Sequence, residues 1–384
     1  MENLVIARGN DASATGPRGR RGKRVLVTGA DGYIGSILVP LLVERGYEVD
    51  GLDTGYYRAG WLYHALGDRG RMLTRDIRLV TAADLSPYEA IFHLAELSND
   101  PLCQFDERTT YDINHRASVA LAENAKRAGV RRFIYASSCS VYGVVESGEA
   151  NESTPVNPQT AYAHCKLLVE RDVSALADRH FAPIFLRNAT AFGPSPRMRF
   201  DIVLNNLAGT AWTTGCIDMT SDGTPWRPLV HVLDICAAMI AAYEAPLYAV
   251  ANEVFNVGAA GQNYRVREIV DTVSQVFPVK YVTVGRKGGD NRSYRVNFDK
   301  IRRHMPAFEC RHDVWAGARQ LHGLFQRIGL TEAMFTAPPF IRLRQLQRLL
   351  DTRQIDSLFY WYDHDLSGNA AVRSVFDPAG KAVG

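Results

Sequence analysis

From Lys23 onward, short apolar runs alternate with longer segments whose apolar residues recur at helical spacing. The runs "RVLVTG", "EVDGLD", "AIFHLAE", "RRFIYASS" and "PIFLRNATAF" read as strands, because each is rich in apolar and β-branched residues and ends near turn formers. Between them, "SILVPLLVERG" and "HRASVALAENAKRAG" read as helices. Apolar strands alternating with helices predict a parallel sheet covered on both faces, an α/β chain of the doubly wound kind.

After Gly193 the pattern changes. "GPSPRMRFD" is a loop rich in turn residues. A helix is predicted from Ile202, a strand at "PLVHV", a helix from Leu233, then the strand "EVFNVG" and the helix "REIVDTVSQVF". This stretch reads as a smaller lobe interleaved with the end of the sheet. Beyond Ala337, residues Ile341, Leu343, Leu346, Leu349 and Leu350 recur at helical spacing before an aromatic cluster, which predicts a helix packed on the body. The chain thus divides into a disordered lead over 1–22, a sheet domain over 23–193, the lobe over 194–336, and a helical extension with a loose tail over 337–384.

The 384 residues are 46% hydrophobic and 22% charged, enough for a sizeable core. Lys and Arg number 44 against 41 Asp and Glu, and the net charge of +3 carries no nucleic-acid footprint. Cys103, Cys139, Cys165, Cys216, Cys236 and Cys310 show neither CxxC nor His-rich spacing, so neither a disulfide framework nor a metal site is predicted. No apolar run reaches the ~18 residues of a membrane span, and residues 1–22 lack the apolar segment of a signal peptide. The expected setting is the cytoplasm, with no membrane or nucleic-acid partner.

Chemistry enters at "RVLVTGADGYIGS", where Gly29, Gly32 and Gly35 stand in GxxGxxG spacing between a strand and a helix. The first glycine permits a tight turn, the second lets the backbone approach a pyrophosphate, and the third allows close helix-to-strand packing. About twenty residues on, Asp53 ends the second strand, where a carboxylate binds ribose hydroxyls. This context predicts a Rossmann-type dinucleotide site. Asp53 favours NAD over NADP, whose 2′-phosphate would meet a like charge, and nearby Arg58 weakens that preference slightly. Further on, "NPQTAYAHCK" places Tyr162 and Lys166 one helical turn apart on one face. An ammonium beside a phenol favours the phenolate, so the tyrosine pKa is expected to fall toward working pH.

In chain order, "TGADGYIG", "DIR", "HLAELSNDP", "YASSCSVYG", "YAHCK", "LRNATAFGP", "WRPLVHVLD" and "FNVG" make residues from about Lys23 to about Gln320 resemble one known family. It is the nucleotide-sugar epimerase/dehydratase family of extended short-chain dehydrogenase/reductases, in its UDP-galactose 4-epimerase-like form. The resemblance implies a Rossmann-type doubly wound parallel sheet with a smaller C-terminal substrate-binding lobe, bound NAD, a nucleoside-diphosphate sugar as substrate, and a homodimer. It implies cofactor contacts from Gly29, Gly32, Tyr33, Ile34 and Gly35, adenine contacts from Asp76 and Ile77, and a cofactor wall running from His93 through Leu94 to Ala95. Ser138 matches the residue that hydrogen-bonds the reacting hydroxyl, Tyr162 the acid/base, Lys166 the group holding the nicotinamide ribose, and Asn114 the brace of the active-site strands. Arg227 matches the arginine that grips the substrate diphosphate, where a planar fork suits phosphate oxygens, and Arg292 is a second candidate. Cys139, Ser140, Thr190 and Arg199 complete the expected substrate contacts, with Phe200 in the same loop.

Cys139 and Ser140 narrow the chemistry. Resembling 4,6-dehydratases carry an Asp-Glu pair right after the catalytic hydroxyl residue, and glucuronate-type decarboxylases a glutamate at the place of Ser140; neither acid is present. A cysteine base of the GDP-mannose 3,5-epimerase type would stand at Ser140, so Cys139 reads as a small, half-buried filler before it reads as a base. What remains is epimerisation, at C4 before other carbons, by oxidation to a keto-sugar and hydride return to its other face. A net ketosugar reductase or dehydrogenase would use the same groups. A non-catalytic dinucleotide-sensing module fits less well, since Tyr162 and Lys166 are both kept. Thr190 in place of a common asparagine, together with the loop "AELSNDPLC", points to an unusual sugar of a secondary-metabolite pathway.

Overall fold

Alternation along the strands decides how the chain layers. In β1 (Arg24–Thr28), Val25 and Val27 face one side and Leu26 the other, and all three are buried. Val25 and Val27 share an apolar cluster with Leu38 and Leu42 of the helix Gly35–Glu44 and Met239 of the helix Val232–Glu244. Leu26 belongs to a second cluster with Leu121 of the helix Ser118–Arg127 and Val169 of the helix Ala161–Ser174. Helices therefore cover both faces, and each such buried side chain contributes ~1.5–3 kcal/mol.

The computed structural model describes residues 23–64, 67–98, 100–145, 148–219, 221–285 and 293–362. After β1 come β2 (Glu48–Asp53), β3 (Arg71–Thr74), β4 (Ala90–His93), β5 (Arg132–Ser138), β6 (Ala182–Asn188), β7 (Thr190–Phe192), β8 (Cys216–Met219), β9 (Trp226–His231), β10 (Glu253–Val257), β11 (Asn263–Arg265) and β12 (Tyr281–Val284). Seven of them form one sheet in the order β3-β2-β1-β4-β5-β6-β10, parallel throughout. The predicted α/β class, Rossmann-type sheet and smaller lobe are all present. Strand β3 escaped the pattern because it is four residues long, lies at the sheet edge and buries no residue completely, so it needs no apolar run.

The lobe holds two small sheets, β11-β9-β7 and β12-β8, around a core that includes Phe200, Leu204, Leu321 and Phe325. Strand β10 returns from the lobe to the main sheet, which is why the two are interleaved. The helix Arg342–Asp351 buries Leu346 and Leu349 in a cluster with Tyr56, Leu97, Ile355 and Phe359. The lead over 1–22 and the tail from 363 lie outside the described residues. Among the described residues no helix is long and apolar enough to cross a membrane.

One buried ion pair ties the helix Ala161–Ser174 to the sheet. Glu170, 5% exposed, accepts from Arg187 of β6 through Nε at 3.0 Å and Nη2 at 2.7 Å, and from Ser137 Oγ of β5. Arg187 Nη1 continues to the Tyr142 hydroxyl at 3.0 Å, which donates to Asn256 Oδ1 of β10 at 2.8 Å. Removing one partner would strand the other charge in the core. We expect Glu170→Ala to cost about 3–5 kcal/mol in urea-induced unfolding; a loss below about 1 kcal/mol would show that water reaches Arg187.

Candidate active site

The strand order reverses direction between β1 and β4, and a cavity of about 810 Å³ lies at the carboxyl ends of the strands there. Its walls take Gly29 from the end of β1, Asp53 from β2, Leu94 from beyond β4, Ser138 from β5 and Asn188 from β6.

Its first half is a cradle of backbone. Gly29 turns with φ +70°, and a Cβ there would stand 2.8 Å from Ala95 N; a Cβ on Gly35 would stand 2.2 Å from Gly29 O. Only glycine permits these approaches. Gly32, Tyr33 and Ile34 line the same wall. The helix Gly35–Glu44 follows the turn directly, with no side-chain cap at Ile34, so the positive end of its dipole faces the cradle. Asp53 accepts from Gly55 N at 2.7 Å and Asp31 N at 3.0 Å. Burial pushes its carboxyl up to about 6, the Asp31 carboxylate adds to the rise, and the two amides and Arg197 oppose it. Arg58 stacks over Trp361 at 4.8 Å and does not share the cavity wall with Asp53. Asp76 lines the far end beside Ile77, its carboxylate held by Arg78 Nη2 at 2.7 Å. Turn, helix terminus and carboxylate together fit an adenine dinucleotide.

His93, expected in this wall, lies beneath it. Its ring sits between Thr28 Oγ1 at 2.7 Å and Ser118 Oγ at 2.8 Å, and burial, with Lys166 adding, pushes it down to about 3. It is a neutral packing group, and Leu94 and Ala95 form the wall.

In the second half, Ser138, Tyr162 and Lys166 face the cavity together. Thr160 caps the helix of Tyr162 and Lys166, accepting from Ala163 N at 3.2 Å and donating to Asp100 Oδ1 at 2.6 Å, which seats Tyr162 in the first turn. Lys166, 5% exposed, donates to Ala136 O and pairs with Glu96. Glu96 also accepts from the Tyr135 hydroxyl at 2.5 Å. The expected fall in the Tyr162 pKa does not occur. Burial raises it, Lys166 opposes, and Glu96 and Asp100 add to the rise. The ammonium is already matched by a carboxylate, so less of its field reaches the phenol.

Glu96 is a wall residue that the pattern reading passed over, although an acid at the end of a buried apolar strand was its signal. Asn114 braces the loop before it, exchanging hydrogen bonds with Leu97 N and O at 2.8 Å each. Asn188, Ser98 and Arg342 also line the cavity and were not anticipated.

Ser140, Thr190, Arg199 and Arg227 all line the cavity. Ser140 Oγ and Asn188 Oδ1 are buried without a partner among the described residues, so the wall presents polar atoms for a ligand to satisfy. Cys139 is a correction. It is fully buried, absent from the wall, and donates to Arg187 O at 3.1 Å. Burial pushes its thiol well above the usual range, so it is neither base nor substrate contact. Phe200 belongs to the lobe core. Arg292 lies outside the described residues.

Fold and cavity define a dinucleotide-dependent enzyme of the short-chain dehydrogenase/reductase type. The chain belongs to the NAD-dependent epimerase/dehydratase family, whose sequence profile matches residues 25–258. It is 30% identical over 290 residues to a UDP-glucose 4-epimerase of Streptomyces lividans, covering 70% of this chain and 85% of the relative. It is 33% identical over 262 residues to that of Mycolicibacterium smegmatis, covering 64% and 80%. Among solved structures, MoeE5 in complex with UDP-glucuronic acid and NAD superposes with TM-score 0.67 at 27% identity, over 79% of this chain and 99% of that one.

The elevated Asp53 carboxyl makes cofactor binding pH-dependent. A ribose bonds the ionised form, whereas the free protein takes up a proton as pH falls through about 6. NAD affinity, followed by calorimetry, is expected to drop by up to about tenfold per pH unit below that point. Asp53→Asn should bind more weakly at neutral pH and lose this slope.

Proposed function

We propose that the protein is an NAD-dependent nucleotide-sugar epimerase that inverts C4 of a uridine-diphosphate hexose through a transient 4-keto sugar, as a homodimer. The observation that carries this reading is the convergence of Ser138, Tyr162 and Lys166 on a cavity that also holds the dinucleotide cradle. The relatives named as UDP-glucose 4-epimerases support the choice of carbon and nucleotide. Neither residue after Ser138 is an acid, and Glu96 has one oxygen on Lys166 and the other on Tyr135, so it is not poised to protonate a leaving hydroxyl.

Bound NAD would accept a hydride from C4 and return it. Ser138 orients the reacting hydroxyl, and Tyr162 takes its proton and later gives it back. Lys166 holds positive charge beside the phenolate that Tyr162 must pass through, with Glu96 and Ala136 O fixing where that charge sits. Arg227 of β9 meets the substrate diphosphate from the lobe. Thr190 and Ser140, both in the cavity wall, contact the sugar, and Thr190, where an asparagine is common, points to an unusual hexose.

The purified protein, its mass set by sedimentation velocity, would be incubated with UDP-sugars in deuterated water. The proposal expects a C4 stereoisomer, no deuterium on carbon and no net change in NADH; stoichiometric NADH would transfer the reading to a ketosugar dehydrogenase. Tyr162→Phe should lower turnover by about 10²–10⁴-fold with NAD still bound. Because the Glu96 charge raises Tyr162, Glu96→Gln should move the rising limb of the pH–rate profile toward acid. An unmoved limb would mean that the limb does not report Tyr162.

A further inference from the structure

Arg342 opens the helix Arg342–Asp351, beyond the residues that the family profile matches, yet it is 3% exposed and forms part of the cavity wall. Its guanidinium lies 3.9 Å from the centroid of the Tyr57 ring and donates to Pro339 O at 3.4 Å. Asp201 accepts from the Arg342 backbone amide at 3.3 Å, while its two carboxylate oxygens accept from Arg199 Nε at 2.8 Å and Nη2 at 3.1 Å. The Asp201 carboxylate is thus taken up by the Arg199 guanidinium, and the buried Arg342 guanidinium nearby has no ion pair of its own among the described residues. Burial lowers the Arg342 pKa, Tyr57 opposes, the like charge of Arg199 adds to the lowering, and the Asp201 and Asp53 carboxylates oppose it. An anion entering the cavity would stabilise both buried guanidiniums.

The topology says which anion. Tyr57 follows β2, and Ser98, whose carbonyl and hydroxyl accept from Arg199 Nη1 at 3.1 and 3.2 Å, follows β4. Strand β1 lies between those two strands. The bridge Ser98–Arg199–Asp201–Arg342–Tyr57 therefore crosses the carboxyl end of β1, above the glycine turn and the start of the helix Gly35–Glu44. The loop carrying Arg199 is also tied to that turn, since Ser195 Oγ donates to Tyr33 O at 2.8 Å. We propose that Arg342 and Arg199 close on the diphosphate of the dinucleotide from the side opposite the helix N-terminus, so that the C-terminal segment completes the cofactor site. Arg227, on the lobe, is left to the diphosphate of the sugar nucleotide. This inference rests on NAD being the cofactor.

The test follows release of NAD from the purified holoenzyme by exchange against labelled NAD, and binding of UDP to the same holoenzyme by calorimetry. Arg342→Met keeps the apolar contact with Tyr57 and removes the charge. It should release NAD about ten- to a hundredfold faster, with UDP affinity unchanged. Arg342→Lys, which keeps the charge without the fork and guards against a folding defect, should fall between. Unchanged NAD release in both variants would overturn the proposal. Weakened UDP binding with unchanged NAD release would also overturn it and assign the arginine to the substrate diphosphate. A wild type that neither carries nor binds NAD would overturn the cofactor reading itself and this inference with it.

Discussion

The buried pair of Glu170 and Arg187 sets where Ser138, Tyr162 and Lys166 stand in the cavity wall. Tyr162, Lys166 and Glu170 occupy successive turns of one helix, so anchoring the third to β6 fixes the height of the first two above the strand ends. The same carboxylate takes Ser137 of β5, one residue before Ser138, and the same guanidinium takes Tyr142, just beyond Ser140. Helix, strand end and following turn are therefore referred to a single charge pair. A pair that is 6% exposed on either side chain holds geometry more strictly than packing alone, because half of it cannot be left behind in the core.

Above that anchor, the cavity balances charges in couples. Lys166 is matched by Glu96 and Arg199 by Asp201, and behind the wall Asp31 is matched by Arg197 at 2.6 Å. Such matching keeps a polar site stable inside a hydrophobic body. It also tunes Tyr162, whose phenol responds to Lys166 and Glu96 with opposite signs. Where matching is incomplete, at Asp53, Arg342 and the unpartnered oxygens of Ser140 and Asn188, a ligand has something to complete.

The sheet was legible in the amino-acid order because its inner strands are buried on both faces and read as apolar runs. β3 was not, because it is short and buries no residue completely, whereas the other edge strand, β10, buries Phe255 and Val257 and reads as an apolar run. Among site residues, Gly29, Gly35, Asp53, Ser138, Tyr162 and Lys166 reached the cavity as expected. Cys139 and His93 did not. Both stand beside wall residues in the chain, and each turns its side chain into the protein, to Arg187 O and to Thr28 with Ser118.

The chain order determined what depends on neighbours in sequence: the glycine turn, the carboxylate ending the second strand, and the tyrosine and lysine one helical turn apart. These are short-range geometries that a spacing expresses directly. Tertiary structure decided which groups meet across long separations. Glu96 met Lys166, Glu170 met Arg187, and Arg342 came back from the C-terminal helix to the wall beside Tyr57. Three arginines stand in "RLRQLQR", and only packing chose Arg342 to point inward. Burial and counter-charge belong to the folded surroundings of a residue, so no local pattern contains them.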